Sequence, residues 1–127
     1  MPEFIPEHTP NGVNAFTQGY LDCAEWLLDE DVNRDTLRGW TKLAITKAKA
    51  DCEDFMQANK EDLEEFIDTY CGSGYASAGH DFFLTRNRHG AGFWDRGDLP
   101  CCKRLTDAAH VYGEADTYVV RGWMNFY

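Results

Sequence analysis

Apolar residues in the first 70 positions recur with a helical period. Phe16, Tyr20, Cys23 and Leu27 fall at i, i+4, i+7 and i+11, a single stripe. It predicts a helix that Asn14 caps and that runs to about Asp29. Asp29-Glu30-Asp31 end it against the helix dipole, which suggests that these acids serve another purpose. After a polar connection over Asp31–Gly39, Ile45, Ala48, Cys52, Phe55 and Met56 mark the buried face of a helix over about 41–58, capped by Thr41. Leu63, Phe66, Ile67 and Tyr70 mark a third over Lys60–Tyr70, stopped by Cys71-Gly72-Ser73-Gly74. Asn59, a poor interior residue, predicts a break between the two.

The pattern changes in the second half. Ala76–Asn87 reads as a helix with Arg86 on its polar side. Gly90-Ala91-Gly92 breaks it, Phe93-Trp94-Asp95 is a short strand candidate, and Leu105–His110 a short helix. Thr117–Val120 and Trp123–Phe126, β-branched and aromatic around Arg121-Gly122, predict a terminal hairpin. Three prolines make residues 1–12 an extended N-terminal arm. The expectation is one domain over residues 1–127 of α+β class. It has about four to five helices and a small antiparallel sheet of two to three strands formed by the C-terminal half. Its core draws on Trp26, Trp40, Phe55, Phe66, Phe82, Phe83, Phe93, Trp94 and Trp123.

Composition adds compartment and partner. Hydrophobic residues make up 43% of the chain and aromatics 14%, enough for a packed core. No stretch approaches the ~20 apolar residues of a membrane span. The acidic start is unlike a signal peptide, so a cytoplasmic location is expected. Cys23, Cys52, Cys71, Cys101 and Cys102 are odd in number and lack framework spacing, which fits reduced thiols. No spacing suggests a metal, and no cofactor motif is present.

Charge is divided unevenly. Residues 1–70 hold 16 Asp or Glu against 6 Lys or Arg, the whole of the chain's −10, while residues 71–127 hold 6 of each. Such a surface repels nucleic acid and membranes and attracts proteins with basic grooves. Glu61, Glu64, Glu65 and Asp68 follow i, i+3, i+4 and i+7 and form one row, with neighbours four apart about 6 Å along the axis. Asp51, Glu53 and Asp54 extend that surface if the second helix packs alongside, and Asp29, Glu30 and Asp31 add a third cluster. A stiff row of carboxylates imitates the phosphate track of DNA. The bland alternative is a solvated face that keeps the protein soluble.

Gly79–Gly97 is the densest segment in chemistry-bearing residues. As an enzyme or nucleotide-binding site, His80 or His89 would act as a base oriented by Asp81 or Asp95, with Arg86, Arg88 or Arg96 holding an anion. Equally, Arg86–Asp95 or Arg96–Asp81 ion pairs would lock the turn, and His89 would satisfy a carbonyl. No established catalytic spacing is present.

This segment, Gly-His-Asp-Phe-Phe-Leu-Thr-Arg-Asn-Arg-His-Gly-Ala-Gly-Phe-Trp-Asp-Arg-Gly, resembles a family of small bacteriophage-encoded proteins. Phe16–Tyr20, Ala50–Phe55, Arg104–Thr106 and Tyr112–Tyr118 are similar too, so the resemblance spans most of the chain. Most members have no assigned activity, and no catalytic residue carries over. Arg88 departs from the family's Gly, and Asp98–Cys102 diverges. A looser resemblance is to an acidic phage protein that inhibits host DNA gyrase by DNA mimicry. It implies a non-enzymatic inhibitor whose partner is a host DNA-binding protein. A virion structural protein and a homodimer stay open.

Overall fold

Gly19 and Gly79 set the centre of the molecule. The computed structural model describes residues 11–70 and 74–127. In it, helix α1 (Ala15–Trp26) crosses helix α4 (Tyr75–Arg86), the closest pairing of elements in the fold. A Cβ built on Gly79 would lie 1.9 Å from the Phe16 carbonyl oxygen, and one on Gly19 2.0 Å from that of Ala76. Only a residue without a side chain lets two backbones approach so closely.

Around this crossing pack α2 (Lys42–Ala58), α3 (Lys60–Tyr70) and α5 (Pro100–His110). The hairpin of β2 (Thr117–Val120) and β3 (Trp123–Phe126) turns through Arg121 and Gly122, both at positive φ, as a two-residue loop requires. The α+β class, the positions of α1 to α4 and the hairpin follow the sequence pattern. Asn14 and Thr41 cap α1 and α2, accepting from the Thr17 and Ala44 N–H at 2.8 and 3.1 Å. Asn59 breaks α2 from α3. Most of the expected N-terminal arm and the Cys71-Gly72-Ser73 helix stop lie outside the described residues.

The sheet is mixed rather than antiparallel throughout. A two-residue strand β1 (Gly39–Trp40), in what reads as a polar connection, pairs parallel with β3. Two residues are too few to show an alternating pattern. Trp40 is buried against Phe126, with ring centroids 4.8 Å apart. Phe93–Asp95 is a 3-10 turn, not a strand, because the Phe93 N–H is taken by the Thr85 hydroxyl at 3.0 Å. α5 starts at Pro100, earlier than Leu105, since proline pre-sets the first turn and Cys101 and Cys102 face inward. α1 ends at Trp26, so Asp29, Glu30 and Asp31 stand in the loop beyond it rather than in its last turn.

The core is a ring cluster. Phe55 stacks on Phe82 at 4.2 Å and Phe93 at 5.7 Å, and Phe66 meets Phe93 edge-on at 5.0 Å. Of the nine expected core rings, Trp26, Trp94 and Trp123 are instead exposed. Trp26 ends α1 against His80, Trp94 turns away from its buried neighbour Phe93, and Trp123 is on the opposite sheet face from Met124.

Arg88 stands where the backbone favours glycine. Its N–H donates to Thr85 and that of His89 to Leu84, both at 3.0 Å, the paired bonds of a Schellman cap. The cap puts Arg88 at φ +57°, where a side chain is strained by about 1 kcal/mol or more. Arg88→Gly should therefore raise stability by about 0.5–1 kcal/mol, after the added freedom of the unfolded chain is subtracted. A higher urea midpoint at unchanged slope is the expected reading, and a lower midpoint would contradict the strain.

Candidate functional site

Helix α3 presents the acidic row. Leu63 and Phe66 bury one side against the core. Glu61, Glu65 and Asp68 are exposed on the other, and Glu64 is half-buried. Among the described residues, the ion pairs take Asp51, Asp62, Asp81 and Asp107 and leave this row out. Its neighbour Asp62 turns aside to α5, where Arg104 grips it with two bonds of 2.9 and 2.8 Å. Those bonds hold the Asp62 carboxyl below the usual carboxylate range despite some desolvation.

The other anticipated acids have different surroundings. α3 packs chiefly on α5 rather than alongside α2. On α2, Glu53 is exposed, while Asp51 pairs with Arg86 at 2.7 Å and Asp54 accepts the Tyr112 hydroxyl. Asp29, Glu30 and Asp31 are exposed in the loop after α1.

The Gly79–Gly97 residues gather only in part: His80, Asp81 and Arg96 lie together, while Arg86, His89 and Asp95 do not join them. Asp81 is fully buried in a two-bonded pair with Arg96, at 2.9 and 2.8 Å, as one of the two expected pairings. The expected Arg86–Asp95 pair does not form: Asp95 is exposed, and Arg86 pairs with Asp51 instead. Arg86 does not occupy a polar side either. Residues 81–86 of α4 are all buried, and the Arg86 guanidinium turns inward to Tyr20, Asp51 and the Tyr112 and Gly113 carbonyls. His80 lines a small hollow with Asp22 and Arg96, and desolvation lowers its pKa from the ordinary value. His89 is exposed beside a different cleft. The residues of the enzyme reading thus divide between separate contacts.

Periodicity cannot reveal how Tyr20 and Tyr112 frame Arg86, because the three come together only in the fold. Burial raises the Tyr20 hydroxyl pKa, with Arg86 opposing. The Cys23, Cys52, Cys101 and Cys102 thiols are free and buried, and burial pushes Cys23 up to about 12 and Cys101 up to about 11. They act as small apolar core residues. Among the described residues no group of three or more His, Cys, Asp or Glu side chains could hold a metal ion, and no helix is long and apolar enough to cross a membrane. No family model, curated protein or solved structure matches the chain.

Proposed function

We propose that this chain is a phage-encoded acidic protein that imitates duplex DNA. It occupies the basic groove of a host DNA-binding enzyme in the host cytoplasm, without cofactor or direct nucleic-acid contact. DNA gyrase is the first target to test, on the looser resemblance noted in the sequence. The supporting observation is the α3 row, with Glu61, Glu65 and Asp68 exposed on a helix anchored by Leu63 and Phe66. From Glu61 to Asp68 the row spans about 10.5 Å of axis, or one carboxylate per ~3.5 Å. One strand of duplex DNA carries a phosphate per ~3.4 Å. Asp29, Glu30, Asp31 and Glu53 add charge at the periphery. The array matters as a set, because a single rim ion pair contributes only ~0–1 kcal/mol.

Replacing Glu61, Glu64 and Glu65 by Gln and Asp68 by Asn should leave the fold intact, since relief of repulsion favours the helix by a few tenths of a kcal/mol per pair. Inhibition of gyrase supercoiling should be lost in the same protein, and inhibition by the unaltered chain should weaken as salt rises. Full inhibition by the folded quadruple variant would refute this interface.

A further inference from the structure

The sheet order β1-β3-β2 makes β2 an edge strand. Its outward backbone groups follow from the ladder. Thr117 pairs with Phe126 and Val119 with Met124. The Tyr127 N–H donates to the Asp116 carbonyl at 3.0 Å, and the Thr41 N–H to the Met124 carbonyl at 3.1 Å. Bonded and non-bonded pairs alternate along an antiparallel ladder. Asp116, Tyr118 and Val120 therefore bond inward to β3, and the N–H and C=O groups of Thr117 and Val119 point away from it.

A cleft of about 580 Å³ follows this edge. It touches every residue from Ala115 to Val119, although successive side chains on a strand face opposite ways. A cleft in contact with both sets runs along the strand's rim. Across from the strand, Leu27, Leu28 and Val32 supply an aliphatic wall. Asp29 and Asp31 on one side and Asp116 on the other place exposed carboxylates at its border. The Tyr118 and Tyr127 rings, 4.6 Å apart, flank it.

We propose that this cleft binds an extended segment of a partner protein as an added strand, one in which Lys or Arg alternates with aliphatic residues. Main-chain pairing to Thr117 and Val119 supplies the register. The aliphatic wall takes one set of side chains, and Asp29, Asp31 and Asp116 take the cationic set. Charge selects this occupant over a second copy, because each copy carries −10 and would bring its own acids to the shared edge. Asp29 and Asp31 also lie at the periphery of the DNA-mimic surface, but no residue of the α3 row lines the cleft, so the α3 quadruple variant should keep peptide binding and separates the two interfaces.

The test uses the full chain and a labelled heptapeptide, acetyl-Lys-Val-Lys-Val-Lys-Val-Lys amide, read by fluorescence anisotropy. The peptide should bind at least tenfold more tightly than its Glu-for-Lys counterpart. Of two versions N-methylated on the valines or on the lysines, one should lose tenfold or more. Val119→Pro removes an outward N–H without touching the ladder, a position where edge strands tolerate proline, and should abolish binding. If that variant fails to fold, the N-methylated peptides on the unaltered chain decide. Lack of binding, equal binding of the Glu peptide, or equal binding of both N-methylated forms would overturn the proposal. A concentration-dependent dimer abolished by Val119→Pro would overturn it in favour of a second copy.

Discussion

Gly79→Ala is expected to destabilise the protein by about 3 kcal/mol or more, and Gly19→Ala by a comparable amount. The sign is the diagnostic part. In a free helix the same change stabilises by about 0.8–1 kcal/mol. Here the new methyl at residue 79 would meet the Phe16 carbonyl carbon at 2.8 Å and the Tyr20 nitrogen at 3.1 Å, besides the carbonyl oxygen at 1.9 Å. These are backbone atoms and cannot swing aside as a side chain would. Relief requires α1 and α4 to part, which loosens the contacts of Phe82 with Phe16 and Tyr20 at 5.9 and 5.5 Å. Once the helices have parted for one alanine, the second should cost less. A double-mutant cycle in urea should therefore give a coupling of about 0.5–3 kcal/mol. Stabilisation by either single change would show that the crossing is looser than described.

The second large effect is expected at Arg86. Its Nε and Nη2 donate to the Gly113 and Tyr112 carbonyls, both at 2.9 Å. Nη1 donates to Asp51 at 2.7 Å and to the Tyr20 hydroxyl at 3.1 Å. The guanidinium carbon also lies 5.6 Å from the Tyr112 ring centroid and 5.9 Å from that of Phe82. One side chain thus joins α1, α2, α4 and the turn after α5. Arg86→Met should cost about 3 kcal/mol, because it removes four bonds at once from a guanidinium that is itself almost fully buried and leaves the buried Tyr20 hydroxyl without this partner. Arg86→Lys should recover only part, since one ammonium cannot reproduce the planar fork. Asp51→Asn should cost about 1 kcal/mol, because the Asp51 side chain is 41% exposed and water replaces part of the pairing. Denaturant midpoints for the three variants check the ranking. If Asp51→Asn equalled Arg86→Met, the carboxylate rather than the carbonyls would be the main partner.

Elements with long, regular patterns were legible in the chain itself. The α1 stripe, the faces of α2 and α3 and the two side-chain caps are local properties, set by residues within a turn or two of each other. The exposed face of the α3 acids follows from the same period. The two-residue strand β1 and the 3-10 turn at Phe93 were not legible. Each depends on a partner distant in sequence or on a side chain taking a backbone N–H. The exposed tryptophans teach the same lesson, because hydrophobicity ranks a residue without saying which elements reach far enough to cover it.

Sequence by itself therefore determined where the helices lie, that a hairpin closes the chain, and that the negative charge belongs to the first half. Tertiary structure alone decided that α4 runs through the core, that Arg86 and Asp81 join different ion pairs, and that the β2 edge borders an acidic cleft. The reason is physical: periodicity reports which side of an element avoids water. Pairing, close approach and desolvation depend on atoms that the chain brings together only by folding.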